Sequence, residues 1–406
     1  MPEAHPHASR LPWADMGADY RAIMARAEAL VPALRERAAA TERLRRLPEE
    51  TERELHEAGL FRVVQPRRVG GAELDYVALI DIGDILGRGD ASVAWNFANL
   101  ASHHWMLAMW PKATQDRIWD ENPDALIASS FVFPAGRAKK APGGYTLSGR
   151  WPFSSGVDPS GWNMLAGIVA GEDGDAPDYR VFLVPKEDYR IVDTWDALGL
   201  KGTGSHDVEI AEAFVPEDMT VAAGEIVGGP TPGSAVNPAP LYQIPVMALF
   251  PYLISGPVVG NAQGCLDEFV HAIGSRSATY NAARLSGLQS LQIKIAAAAT
   301  RIDTARLIMR KACIEAQQDA SEGHVPDMLQ KTRYRRDGAF AVNLCTEAVD
   351  LLFGASGARG LYMSGAVQRR FRDAHAAAAH ISFSFDAVGS DYGRAALGLP
   401  NENPVL

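Results

Sequence analysis

The β-prone sequence of this chain lies in one central block, and that placement limits the folds open to it. Leu126-Ile-Ala-Ser-Ser-Phe-Val-Phe133, Trp162-Asn-Met-Leu-Ala-Gly-Ile-Val169 and Tyr179-Arg-Val-Phe-Leu-Val184 are short runs rich in β-branched and aromatic residues, bounded by Gly, Pro and Asp. Helical periodicity occupies both flanks. On the N-terminal side, Tyr20, Ile23, Met24, Ala27, Leu30, Leu34 and Ala38 recur in steps of three and four, and a second helix is framed by Pro48 at its first turn and Gly59 just past its end. On the C-terminal side, Leu288, Leu291, Ile295, Ala298, Ile302, Ala305, Met309 and Ala312 form one stripe. A further helix is expected from about Asp337 to Phe353, stopped by Gly354-Ala-Ser-Gly357.

Helices, then strands, then helices predict an α+β protein with segregated layers. The expected division is a tail at 1–16, an N-terminal helical domain at 17–125, a central β-barrel or sandwich at 126–225, a Gly/Pro-rich loop at 226–242 and a C-terminal four-helix bundle at 243–406. Gly199-Leu-Lys-Gly-Thr-Gly204 has neither the spacing nor the βαβ surroundings of a dinucleotide loop, and reads as a turn between strands.

Composition removes several function classes. Apolar residues at 47% and charged residues at 22% are those of an ordinary folded domain. No window holds the roughly 20 uninterrupted apolar residues of a membrane helix, so no membrane partner and a cytoplasmic location are expected. A net charge of −10 is the wrong sign for a nucleic-acid partner. Cys265, Cys313 and Cys345 are far apart in apolar contexts, and neither they nor His375 and His380 suggest a metal site.

Five segments then carry a resemblance across nearly the whole chain. They are His103-His-Trp105, Ala128-Ser-Ser-Phe131, Ser148-Gly-Arg-Trp-Pro-Phe-Ser-Ser-Gly156, Leu198-Gly-Leu-Lys-Gly-Thr-Gly-Ser205, and Arg372-Asp373 with His380. Together they resemble the oxygenase component of two-component flavin monooxygenases, which have the acyl-CoA dehydrogenase fold. In the dehydrogenases a glutamate eight or nine residues after the Arg-Asp pair abstracts a substrate proton; here those positions are His380 and Ile381.

The resemblance implies reduced flavin (FMN or FAD) delivered by a separate NAD(P)H:flavin reductase, O2 as co-substrate, a C4a-hydroperoxide, and hydroxylation of a small aromatic substrate such as a phenol or indole. It also implies a homotetramer. By the same resemblance Ser154 or Ser155 meets flavin N5, and His103, with His104 as the competing choice, shares a phenolic proton. His380 lies near C4a, Ser130 belongs to the strand touching the ring, and Arg276, Ser356 and Gly357 approach cofactor across a subunit boundary. S- or N-oxygenation and acyl-CoA dehydrogenation are the alternative activities, and a flavin-fold scaffold without chemistry is the non-enzymatic one. His380 is expected on one helix face with Asp373.

Overall fold

In this computed structural model residues 16–171, 176–277 and 284–406 are described. Five helices precede the sheet: α1 (Ala18–Leu44), α2 (Glu49–Glu57), α3 (Val77–Gly87), α4 (Ala91–Leu107) and α5 (Lys112–Trp119). The buried face of α1 carries Tyr20, Ile23, Met24, Ala27, Leu34 and Ala38, and it packs on α3. Pro48 precedes α2 directly, and Gly59 beyond its end takes a φ of 69° that a side chain would resist.

The helix α4 is of another kind, because every one of its residues is buried, Asn96, Asn99, Ser102, His103 and His104 included. With Ser92, six such polar side chains in one buried helix are costly unless each has a partner or a use. Asp90 starts the helix by accepting the Ser92 and Val93 N–H groups.

Eight strands follow: β1 (Ile127–Ser130), β2 (Gly136–Ala141), β3 (Gly144–Ser154), β4 (Trp162–Val169), β5 (Asp178–Pro185), β6 (Arg190–Val192), β7 (His206–Pro216) and β8 (Thr220–Ala222). They form one sheet in the order β6-β7-β3-β2-β4-β5-β8, with β1 also paired to β4. Both β1 and β2 run parallel to β4 and divide one of its edges between them, Ile127–Ser130 facing 162–165 and Arg137–Ala138 facing 168–169. Between Trp151 and Ser154 the β3–β7 register slips, and Phe153 there has a φ of 64°. A bulge of this kind re-aims the side chains that follow it, and a non-glycine residue at positive φ is strained.

Residues 226–242 form a fixed strap. Trp105 Nε1 donates to the Leu241 carbonyl at 2.8 Å, Asn237 Nδ2 to that of Ala108 at 2.7 Å, and the Tyr242 hydroxyl to that of Val64 at 3.1 Å. The strap therefore closes over the C-terminal end of α4.

The C-terminal layer comprises α6 (Val246–Gly274), α7 (Gln289–Ser321), α8 (Met328–Ala355), α9 (Ala366–Ala378) and the short α10 (Phe385–Ala396). In place of a start near Asp337, α8 begins at Met328, where the Asp327 side chain caps Gln330 N–H at 2.8 Å. Lys331, Arg333, Arg335 and Arg336 hid that first stretch by interrupting the apolar pattern. By length and composition α8 could span a membrane, yet it packs against α6, α7, α9 and α10 as a bundle helix. Buried ion pairs fasten the two helical layers together: Arg306 of α7 holds Asp84 of α3 at 2.6 Å, and Arg310 holds Asp81, which also accepts from the Tyr20 hydroxyl at 2.6 Å. Removing one partner of such a pair costs about 3–5 kcal/mol.

Candidate active site

Trp95, Asn99 and His103 recur every four residues and form one face of α4. From Trp95 to His103 the stripe runs roughly 12 Å at 1.5 Å per residue. At its C-terminal end, His103 Nδ1 lies 2.6 Å from the Ile127 carbonyl oxygen at the start of β1. A carbonyl only accepts, so Nδ1 carries the proton and Nε2 is left as a bare lone pair. That Nε2 is buried without a protein partner. Burial lowers the His103 pKa to about 4, so the ring is neutral throughout the physiological range. Phe131 meets it edge-on at 6.1 Å, and Phe250 of α6 meets Phe131 at 5.3 Å.

His104 is arranged in the opposite sense. Its Nδ1 accepts the Trp119 indole N–H at 3.1 Å and its ring stacks on Trp119, so any proton on the neutral ring is on Nε2. Burial pushes its pKa to about 3. The basic nitrogen of His104 is already engaged, and its side chain is turned about 100° around the helix from its neighbour. Of the two histidines only His103 leaves its basic nitrogen without a partner among the described residues.

At the N-terminal end of the stripe, Trp95 Nε1 donates to Ser155 Oγ at 3.2 Å. The Ser155 hydroxyl lies 2.8 Å from Ser205 Oγ, which lies 2.6 Å from Thr203 Oγ1, and Thr203 donates to the Leu200 carbonyl at 2.9 Å. Because the last acceptor has no proton to give, the direction of the whole chain is fixed. Thr203 gives its proton to Leu200, Ser205 to Thr203 and Ser155 to Ser205, while Trp95 donates into Ser155. Ser155 is thus held as an acceptor with one lone pair to spare. Ser154, the residue before it, is fully buried and accepts from Asn163 Nδ2 at 2.9 Å. The Ser130 hydroxyl donates to the Pro152 carbonyl at 2.7 Å and ties β1 to the bulged end of β3.

His380 lies beyond α9, whose last residue is Ala378, and opens the turn Ile381–Phe383. The expectation that it shares a helix face with Asp373 is therefore not met. Its own side chain explains the stop, since His380 Nδ1 accepts the Ser382 N–H at 3.2 Å and caps a new turn in place of continuing the old one. With Nδ1 accepting, the proton of the neutral ring is on Nε2, which makes a donor. The ring sits against Trp95 at 6.0 Å and Phe383 at 5.7 Å, and desolvation with the positive charge of Arg335 lowers its pKa to about 4.

The Arg-Asp pair ahead of His380 acts on the loop between β6 and β7. Asp373 Oδ1 accepts the Leu200 N–H at 2.7 Å, and Arg372 donates to the Leu198 carbonyl at 2.9 Å. A Cβ on Gly199 would come within 2.2 Å of the Arg372 carbonyl oxygen, so the contact needs glycine. The pair thereby sets the loop that carries Thr203 and Ser205. Burial raises the Asp373 pKa to about 6, against roughly 4 for an unfolded aspartate. Between those values the native state holds more protons than the unfolded one, so this group lowers stability as pH rises through the window. Asp373→Asn keeps the acceptor and loses the charge. It should be more stable than the parent at pH 8 by on the order of 2 kcal/mol, with the gap closing as pH falls from 6 to 4. Thermal midpoints at the two ends of that range check this; a variant less stable at pH 8 would show that the charge itself is needed.

The remaining sequence candidates lie elsewhere. Arg276 follows the C-terminal end of α6, about 39 Å along the helix direction from Phe250 at 1.5 Å per residue. Ser356 and Gly357 end α8, which runs alongside α6 in the same direction, as Arg335 against Met247 and Gly338 against Tyr252 show. These three share the far end of the bundle and do not join His103, Ser155 and His380 within one chain. Next to them Leu361, Tyr362 and Met363 are each about two-thirds exposed. Of the aromatic residues Tyr242, Phe250 and Tyr252, only Phe250 faces the α4 stripe; both tyrosines are fully buried core. Sequence reading passed over Trp95, Thr203 and Ser205 as site residues. Their signals were the i, i+8 spacing of Trp95 to His103 and the hydroxyls of the Leu198–Ser205 segment.

The site so built carries aromatic rings at Trp95, Phe131 and Phe250, an open acceptor at Ser155, a donor at His380 and a bare imidazole nitrogen at His103. That donor and acceptor set fits a reduced flavin edge beside a hydroxylated ring, and it lacks the carboxylate an α-proton abstraction needs.

Comparison with known proteins bears on this directly. Residues 18–119 match the acyl-CoA dehydrogenase N-terminal domain, and residues 252–385 match the acyl-CoA dehydrogenase C-terminal domain. The chain is 35% identical over 379 residues to the flavin-dependent monooxygenase, oxygenase subunit HsaA, of Rhodococcus jostii (strain RHA1), covering 93% of this chain and 98% of that one. It is 33% identical to the FADH(2)-dependent resorcinol hydroxylase, oxygenase component, of Rhizobium sp. (strain MTP-10005), covering 93% and 94%. The crystal structure of 3-HSA hydroxylase from Rhodococcus sp. RHA1 superimposes with a TM-score of 0.90 at 34% identity, over 95% of this chain and 98% of that one.

Proposed function

Since this chain belongs to the oxygenase components of the flavin-dependent monooxygenases, we propose that it hydroxylates a phenolic substrate with His103 Nε2 as the base. The observation that carries this is the 2.6 Å contact from His103 Nδ1 to the Ile127 carbonyl, which fixes a neutral imidazole with its free nitrogen buried in the site. A base in that place raises the electron density of a phenol and has no use in oxidising a sulfide or an amine.

Reduced flavin, once bound, supplies the activation of O2, and that chemistry belongs to the cofactor. The chain's own residues do the rest. Ser155 would offer its spare lone pair to the flavin, and His380 Nε2–H would be available to it as a donor. Trp95, Phe131 and Phe250 keep bulk water out. Ser130 and Ser154 hold the strand and bulge in shape. Arg276, Ser356 and Gly357 would serve the cofactor of a neighbouring copy in a homotetramer. Their separation from the α4 stripe and the exposed Leu361-Tyr-Met363 beside them support this reading. A separate NAD(P)H-dependent reductase would supply the reduced flavin.

The test mixes protein preloaded anaerobically with reduced FAD or FMN against oxygenated buffer and follows oxidised-flavin absorbance. With protein and a phenol present, that absorbance should return over seconds with hydroxylated product formed. Return at the rate of free flavin, with all electrons recovered as hydrogen peroxide, would end the proposal.

A further inference from the structure

Among the described residues, the buried cations of the helical layers other than Arg335 have partners, although Lys331 of α8 has no side-chain carboxylate and donates only to the Leu406 carbonyl at 3.4 Å. Arg306 and Arg310 hold Asp84 and Asp81. Arg370 has no carboxylate, but its guanidinium donates to the carbonyls of Gly87, Arg88 and Gly89 and to Asn261, and so clamps the end of α3. Arg333 pairs with Glu315, and Arg336 with Asp337.

Arg335 differs from all of these. It is mostly buried on α8, its one hydrogen bond runs from Nη1 to the Met247 carbonyl at 3.2 Å, and its Nε is buried with no partner. Among the described residues no carboxylate lies in ion-pair contact with it. Asp391 of α10 acts on it only through its charge, without an ion-pair contact, and burial lowers the Arg335 pKa. An arginine with five donors and one bond is a poor structural clamp and an open receptor for an anion.

Its position says which anion. Met247, which it touches, lies one helical turn before Phe250, and Phe250 packs on Phe131, which packs on His103. The charge of Arg335 also reaches His380. Arg335 thus sits at the α6 N-terminus, one helical turn from Phe250, and close enough for its charge to act on His380.

Resting on the phenol-hydroxylase reading, we propose that Arg335 is a substrate-recognition residue that binds a carboxylate on the aromatic substrate, so that the natural substrate is a phenolic acid. The ring would lie against Phe131 and Phe250, with its hydroxyl toward His103 and its acid arm toward the guanidinium. A carboxylate accepts two parallel N–H bonds from arginine, which an amide or ester cannot do with charge assistance.

The test measures equilibrium binding to the full protein holding reduced flavin without oxygen, using p-hydroxyphenylacetate and its neutral amide. The parent should favour the acid over the amide by about 10- to 100-fold, the range of a charge-assisted pair. Arg335→Met should remove that preference while leaving amide binding within about twofold, and Arg335→Lys should restore part of it. Thermal stability supplies a readout independent of ligand. Removing an unpaired buried charge should leave the melting temperature unchanged or raise it, whereas a marked fall would assign Arg335 to a structural ion pair such as one with Asp391 and overturn the proposal. Equal weakening of acid, amide and reduced flavin would overturn it too, by placing the anion on the cofactor. If the parent turns over neutral phenols and ignores the acid, the arginine assignment fails while the hydroxylase reading stands; if reduced flavin reacts as free flavin, the hydroxylase reading itself has failed.

Discussion

His103→Asn should lower kcat/KM for hydroxylation of a phenol by about 10³-fold, within the 10²–10⁴ that a positioned base contributes. Asparagine can still donate its amide to the Ile127 carbonyl, so the β1 end of α4 keeps its anchor, and what is lost is the basic nitrogen. Flavin should still be oxidised, with the missing product replaced by hydrogen peroxide. The pH profile carries a second mark. A free histidine titrates near 6.5, but burial holds His103 near 4, so its base form persists on the acid side of neutrality. The parent should therefore show no loss of activity near pH 6.5 from this group. An acid limb at that pH that vanishes in His103→Asn would mean that the imidazole is solvated and the buried geometry wrong. His104→Leu should instead act on folding, since it leaves the Trp119 indole without its acceptor.

Ser155→Ala is the second large effect. It removes the acceptor aimed by Trp95, Ser205 and Thr203, and the fraction of reduced flavin yielding product should fall by about 10- to 100-fold, the range expected for losing one hydrogen bond at the reacting centre. The loss should appear as hydrogen peroxide, with flavin affinity little changed. Ser205→Ala separates orientation from presence. It leaves the Ser155 hydroxyl in place but frees its proton to turn, so the same uncoupling should appear at roughly a third of the effect on a logarithmic scale, in line with a modest cost for one reoriented bond. Ser154→Ala, one residue away, should leave coupling intact, because its hydroxyl serves Asn163. Product yield per flavin across the three variants decides the matter, and loss of coupling in Ser154→Ala with retention in Ser155→Ala would reverse the assignment.

The layers of the fold could be read from sequence because periodicity changes sharply at both borders of the β block. The stripe from Ala298 to Ala312 is a buried face as its spacing implies, while Leu288, Leu291 and Ile295 are left partly or wholly open in a single chain. Local signals failed where the side chain itself decides the backbone. The α8 start depends on the Asp327 cap ahead of a charged stretch, and the end of α9 depends on His380 capping Ser382. The site was legible as residue types in motifs, not as roles. Nothing in Ser154-Ser155 says which faces the site; the bulge at Phe153 decides it. Nothing in His103-His104 says which nitrogen is free; Ile127 and Trp119, brought in from other elements, decide that. Arg335 was hidden for the same reason, since only the packed bundle shows which of several arginines lacks both a carboxylate and a set of carbonyls to clamp.

These contacts place His103 and His380 in opposite neutral tautomers, His103 with its proton on Nδ1 and His380 with its proton on Nε2, and the proposed division of labour between base and donor rests on that. Long-range nitrogen–proton correlation on protein labelled with ¹⁵N in its imidazoles, assigned through His103→Asn and His380→Asn, reads the tautomers directly. At pH 7 His103 should show a protonated Nδ1 and a bare Nε2, and His380 the reverse. A His103 ring protonated on Nε2, or on both nitrogens, would contradict the account.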